Sequence, residues 1–203
     1  MTADAPKGQL VLVRHGQTEW SRSGQHTGLT DLPLLPEGED DARALRGVLT
    51  RFDIGRSFAS PLARARSTAE LAGLRPDIDD DLLEWDYGAY EGRTTEEISQ
   101  SLERPWTVFE DGVVPGETPG ETVEEVAARA SRVLDRIAGD LEQRDVVLVG
   151  HGQALRVLAS VYLRQAPRFG AQIMLDAGCV SVLGHHHGVP CIRAWNVPAD
   201  GLG

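Results

Sequence analysis

Arg14-His15-Gly16 follows directly on an apolar run, Leu10-Val11-Leu12-Val13, so an arginine and a histidine stand where a buried strand meets a glycine turn. A neutral imidazole is a competent nucleophile toward phosphorus, and an adjacent guanidinium can hold phosphate oxygens while the new bond forms. In isolation the triplet reads better as a solvated strand end. Three companions change that balance: Ser60-Pro61-Leu62-Ala63-Arg64-Ala65, Glu84-Trp85-Asp86-Tyr87-Gly88 and Gly150-His151-Gly152. They add a second arginine, a carboxylate and a second histidine.

The elements that must position these residues alternate along the chain. Gln9 to Val13 reads as a buried strand, and Gln17 to Pro36, with Gly24, Gly28, Pro33 and Pro36, as a turn-rich loop able to wrap a ligand. Glu37 to Phe52 has Ala42, Leu45, Val48 and Leu49 at helical spacing. Ser57 to Ala59 is a short strand running into Ser60-Pro61, a helix N-cap followed by proline at the first helical position. The helix from Leu62 to Leu74 then holds Arg64 in its first turn, where free backbone N–H groups also favour an anion. Thr94-Thr95-Glu96-Glu97 is a capping box, and Thr122 to Glu142 is the longest helical pattern.

Asp145 to Val149 is a strand ending at Gly150-His151-Gly152, and Gln153 to Leu163 continues as a helix. Strand, histidine turn and helix thus occur twice, at the two ends of the chain, and two such turns can converge. Val180 to Leu183 and Cys191 to Trp195 form a hairpin around His185-His186-His187-Gly188. The alternation predicts an α/β fold: a three-layer α/β/α sandwich with a mostly parallel central sheet and ligand chemistry at the carboxyl ends of its strands.

The 203 residues, 41% of them hydrophobic, fit a single domain over 1–203. A net charge of −11 argues against a nucleic-acid partner, so an anionic substrate must be met by local arginines. Cys179 and Cys191 read as small buried hydrophobes rather than a disulfide framework. The residues before the first strand do not form an export leader, and no apolar stretch approaches the roughly 20 residues of a membrane span, so a cytoplasmic setting is expected.

With these motifs in view, the chain resembles the histidine phosphatase superfamily, the phosphoglycerate mutase-like group, over nearly its whole length. The resemblance implies that His15 is the phosphorylated nucleophile, Arg14 and Arg64 the phosphate-binding arginines, His151 the second pocket histidine and Glu84 the proton donor. Arg14 to Leu34 and Glu84 to Gly92 are most similar to the sedoheptulose-1,7-bisphosphatase type, with actinobacterial acid phosphatases also similar. That likeness implies a substrate pocket of Ser21, Thr27, Gly28, Ser60, Tyr87 and Arg156, with Arg156 able to reach a second anionic group. It also implies a homodimer and neither cofactor nor metal. The doubled Gly116-Glu117-Thr118 and Gly120-Glu121-Thr122 loop departs from the relatives, so the rim that selects substrates differs.

Hydrolysis is favoured over mutase chemistry, because Gly92 to Trp106 lacks the Arg-Arg pair of the mutases and Ser21 replaces their asparagine. A mutase-type phosphotransferase and a pseudophosphatase that binds phosphorylated ligands remain the alternatives. Neither Cys179 nor Cys191 has the arginine six positions on that a cysteine phosphatase needs, and Asp77-Ile78-Asp79-Asp80-Asp81 lacks the threonine of an aspartyl phosphatase. Asp86 and Glu91 compete with Glu84 as the acid. His26 reads as a rim residue, Arg66 as a solvated helix residue and His185 to His187 as an exposed hairpin tip. Trp20, Trp85 and Trp106 read as packing at least as well as ligand stacking.

The mechanism needs a neutral His15 and a protonated Glu84 together, from reference pKa values near 6.5 and 4.3. Neighbouring arginines push the histidine down and a bound phosphate dianion favours the acid form of the carboxyl. A bell-shaped rate profile with an acidic to near-neutral optimum follows.

Overall fold

The computed structural model describes residues 6–199 and residue 201. Its centre is a six-stranded sheet in the order β3-β2-β4-β1-β5-β6, formed by β1 (Leu10–Arg14), β2 (Ile54–Ala59), β3 (Asp77–Ile78), β4 (Asp145–Gly150), β5 (Val180–His186) and β6 (Val189–Val197). The first four strands run parallel, while β5 is antiparallel to β1 and β6 antiparallel to β5.

Helices cover both faces, which is why the central strands are apolar at every position rather than at alternate ones. Leu10 and Leu12 of β1 join Val146 and Leu148 of β4 against α6 (Val123–Leu141) and α7 (Gly152–Tyr162). Val11 and Val13, with Val147 and Val149, face α2 (Pro36–Leu49) and α3 (Ala63–Leu71). A third cluster of Trp85, Tyr87, Tyr90, Ile98, Trp106 and Phe109 ties α4 (Thr95–Leu102) and α5 (Val108–Asp111) to Val126 of α6 and Val157 of α7.

Local chemistry sets the helix starts. The Thr94/Glu97 and Thr122/Glu125 boxes cap α4 and α6. Thr18 and Ser21 form a third, heading the short α1 (Glu19–Ser23) inside the segment expected to be only loop. Ser60 does not cap α3. That helix starts at Ala63 after Leu62, without a side-chain cap; the Ser60 hydroxyl pairs with His151 at 2.7 Å and accepts only a long bond, 3.4 Å, from the Leu62 N–H. Asp31 accepts from the Ala63 N–H.

The hairpin strands extend further than expected, and only His187 and Gly188 form the turn, with φ of 49° and 77°. Two consecutive left-handed residues match the right-handed twist of the flanking strands. His185 therefore lies in β5, half-buried, with its Nδ1 within 3.2 Å of the Tyr162 hydroxyl. Cys179 is buried and Cys191 half-buried, and among the described residues the two form no disulfide.

Candidate active site

Parallel pairing brings the motif residues together. Arg14 of β1 sits in register with Gly150 of β4, and Ala59 of β2 with Val149, so His15, Ser60 and His151 follow the carboxyl ends of three adjacent strands. Backbone N–H groups of His15 and Ser60 donate to the carbonyls of Gly150 and Val149, at 3.0 Å each. The two histidine rings lie with centroids 5.2 Å apart.

The tautomer of His15 is set by its neighbour. Nδ1 lies 2.7 Å from the Gly16 carbonyl, an acceptor only, so Nδ1 carries the proton and Nε2 keeps its lone pair. Burial, then the charges of Arg14 and Arg64, hold its pKa well below the ordinary histidine range. The ring is thus a neutral base beside a cation. Arg14 donates from one terminal nitrogen to the Leu175 carbonyl at 2.6 Å, and its Nε is buried without a partner among the described residues. An orphaned guanidinium N–H is costly unless an anion answers it.

Glu84 lines the same cleft, held against the start of α7. Its Oε1 accepts from the N–H of Trp85 (2.9 Å) and Ala154 (2.8 Å), and its Oε2 from that of Gln153 (3.1 Å). A helix N-terminus offers such free donors. The competing acids, Asp86 and Glu91, do not line this cleft. Asp86 accepts from Gly88, Gly120 and the Thr118 hydroxyl, and Glu91 accepts from the backbones of Gly28 and Thr30.

Arg64 and His151 are fully buried behind this surface. Arg64 uses four of its five N–H donors on protein: the carbonyls of Thr30, Thr27 and Gly28, and Nδ1 of His151 at 3.2 Å. With Nδ1 accepting, neutral His151 donates from Nε2 to Ser60 Oγ at 2.7 Å. Burial, followed by Arg64, keeps His151 well below its usual pKa.

The cleft, about 240 Å³, is lined by Arg14, His15, Ser21, Thr27, Glu84, Tyr87 and Arg156 among the residues expected at the site. Arg64, His151, Ser60 and Gly28 do not line it. Gly28 acts through its backbone, packed so tightly that an added Cβ would lie 2.6 Å from the Trp85 carbonyl oxygen. Arg156 sits over the Phe109 ring at 4.7 Å and bonds to the Gly170 carbonyl and Gln153 Oε1. Burial pushes the Tyr87 phenol well above its usual pKa, so it stays protonated.

Sequence reasoning placed His26 only at the rim and did not single out Gln25, Thr95, Gln153 or Leu175, all of which line the cleft. Thr95 lay in view within a capping signal, whereas the Leu175 carbonyl carries no sequence signal. Trp85 and Trp106 are buried, with indole N–H groups donating to the carbonyls of Glu121 and Gly112. Among the described residues no group of three His, Cys, Asp or Glu is placed to hold a metal ion, and no helix is long and apolar enough to cross a membrane.

The sequence pattern of the histidine phosphatase superfamily (branch 1) matches residues 10–198. The chain is 40% identical to the sedoheptulose 1,7-bisphosphatase of Saccharomyces cerevisiae over 76% of this chain and 67% of that protein. It is 33% identical to an acid phosphatase of Mycobacterium tuberculosis over 89% and 88% of the two chains. A solved structure of an open reading frame from Mycobacterium tuberculosis superposes with a TM-score of 0.89 at 31% identity, covering 95% of this chain and 99% of that one. A match of this extent leaves no part of the sheet or of the strand-end cleft outside the family pattern, and the chain belongs to the histidine phosphatase superfamily as a hydrolase of phosphomonoesters.

Proposed function

We propose that the chain, as one domain over residues 1–203, hydrolyses sugar phosphates, with sugar bisphosphates preferred, through a phosphohistidine on His15. The observation that carries this reading is the His15 tautomer: an uncharged ring with Nε2 unprotonated, beside an arginine with an unanswered N–H. Nε2 attacks phosphorus while the ester oxygen leaves, taking a proton from the Glu84 carboxyl. A water then attacks the phosphohistidine as the Glu84 carboxylate accepts its proton, and the N–P bond breaks to release phosphate.

Arg14 is the principal phosphate fork in this scheme, because most of its donors are uncommitted among the described residues, while Arg64, buried behind the cleft, adds its positive charge and holds the Thr27 to Thr30 loop and His151 in place. His151, Ser60 and the Gly28 backbone support the cleft from behind. Ser21, Thr27 and Tyr87 line the pocket, and Arg156 meets the second anionic group of a bisphosphate. The similarity to a sedoheptulose 1,7-bisphosphatase supports the bisphosphate preference. A homodimer rests on the family resemblance, and a cytoplasmic setting on the cysteine usage of the sequence.

The test is phosphate release, in chelator, from sedoheptulose 1,7-bisphosphate, fructose 1,6-bisphosphate, 3-phosphoglycerate and phenyl phosphate. Release should fall roughly 10³-fold or more in His15→Ala. Phosphate release that survives this substitution would reject the nucleophile, and phosphoryl transfer to 3-phosphoglycerate faster than release would establish the mutase alternative. Arg156→Ala should penalise bisphosphates far more than monophosphates; equal losses would reject its role.

A further inference from the structure

One wall of the cleft is built from groups that the phosphoryl chemistry does not use. The His26 ring lies against Tyr87, with centroids 4.7 Å apart and planes 37° from parallel, and meets the edge of Trp106 at 5.3 Å. Trp106 is buried and packs edge-on against Tyr90, so the imidazole has a rigid backing. Its backbone is equally fixed: the His26 N–H donates to the Arg93 carbonyl, and the Gly92 N–H donates to the His26 carbonyl, both at 2.9 Å. His26 Nε2 pairs with Thr95 Oγ1 at 3.1 Å, and Nδ1 has no protein partner among the described residues. Both side chains line the cleft.

Burial brings the His26 pKa down to about 4, so the ring is uncharged at neutral pH. It adds nothing to the attraction of an anion. Its hydrogen bonding is nonetheless well defined in either tautomer. If Nε2–H donates to Thr95, Nδ1 is an acceptor and the threonine hydroxyl a donor; if the hydroxyl donates to Nε2, Nδ1–H is the donor and the threonine oxygen the acceptor. The pair always retains one donor and one acceptor, which is the complement of two neighbouring hydroxyl groups.

We propose that His26 and Thr95 form a hydroxyl-reading subsite that receives neighbouring hydroxyls of the leaving group and so selects polyhydroxylated phosphate esters over alkyl ones. This deepens the phosphatase reading by naming the residues that choose its substrate class. A site built to hydrogen-bond hydroxyls favours the ester that has them, because its polar groups are left unpaired by the one that lacks them.

The test measures binding in the His15→Ala protein, where turnover does not interfere, with fructose 6-phosphate and hexyl phosphate as ligands that share a phosphate and differ in hydroxyls. His26→Phe keeps a ring between Tyr87 and Trp106 while removing both nitrogens; Thr95→Val, at an exposed position, is the second variant. At the ordinary strength of a neutral hydrogen bond, the Kd for fructose 6-phosphate should rise roughly 5- to 10-fold in the first and about 3-fold in the second, with hexyl phosphate changed less than 2-fold. Equal weakening of both ligands, or no change in either, would overturn the subsite. The same discrimination in binding, with a wild-type protein that releases no phosphate, would uphold the subsite and reject the phosphatase reading. Hydrolysis whose sugar-to-alkyl preference is unmoved by His26→Phe would do the reverse.

Discussion

At the scale of single residues, the chemistry depends on protonation states set by burial. His15 is held well below the usual histidine pKa first by desolvation and then by Arg14 and Arg64. The acid limb of the kcat/KM profile should therefore fall below the reference value near 6.5, where a solvated histidine would put it. Arg64→Gln removes one of the depressing charges and should move that limb toward higher pH. An acid limb at 6.5 in the wild type, unmoved by Arg64→Gln, would refute the assignment of His15. Glu84 and Asp86, two residues apart, should separate cleanly. Glu84→Gln should cost roughly 10²- to 10⁴-fold in kcat, with about 1–2 kcal/mol of stability lost because its amide nitrogen cannot accept from the Gln153 N–H. Asp86→Ala leaves the amides of Gly88 and Gly120 and the Thr118 hydroxyl without their acceptor, and should cost about 2–4 kcal/mol in denaturant unfolding.

At the scale of elements, the doubled Gly-Glu-Thr loop is a clasp. Thr118 and Gly120 bind Asp86, Glu121 accepts from the Asp86 N–H and pairs with Arg129, and Thr122 caps α6. Arg129 also donates to the carbonyls of Asp81 and Leu83, so the segment leading to Glu84 is fastened to α6 at several points. Glu84 then meets the N-terminus of α7, the helix that follows His151. The proposed acid and nucleophile are thereby referenced to one rigid frame, as proton transfer within hydrogen-bond reach demands. Gly28→Ala tests the facing loop. Its Cβ would lie 2.6 Å from both the Trp85 carbonyl oxygen and Glu91 Oε2, so the Thr27 to Thr30 loop must shift. We expect a loss of about 1–3 kcal/mol in stability together with a raised KM. A variant with unchanged stability and kinetics would show that the loop yields freely.

At the scale of the whole molecule, three histidines are carried in neutral form. His15 and His151 lie well below 6.5 and His26 at about 4, in each case with burial as the largest cause. The unfolded chain binds these protons near pH 6.5 and the folded chain does not, so stability is complete above 6.5 and declines as pH falls toward the folded values. Each contributes up to about 1.4 kcal/mol per pH unit in that window. The melting temperature should drop between pH 6.5 and 4.5, and His26→Phe should flatten the slope. A melting temperature independent of pH over that range would refute the neutral, buried state. The net charge of −11 acts over the same scale by repelling anionic substrates, so in the proposed scheme binding must be won locally by Arg14 and Arg156, which line the cleft.

What the sequence determined by itself was the frame. Apolar runs of the length of β1 and β4, each followed by a histidine turn and helical periodicity, specify strand, turn and helix with little ambiguity, because hydrophobic spacing and capping act over a few residues. The motifs also named the chemical groups, since Arg14, His15, Glu84 and Arg156 all line the cleft. Tertiary structure decided how those groups are used. Ser60 was read as a helix cap on local grounds, and only the approach of β4 to β2 gives its hydroxyl to His151. Arg64 has the same five donors in any sequence context; the packing of the Thr27 to Thr30 loop claims most of them. His26 had no spacing signal at all. Its place beside Tyr87 and Thr95 comes from pairing of the Gln25–His26 backbone with Gly92 to Thr94, a contact between segments more than sixty residues apart, which no local pattern encodes.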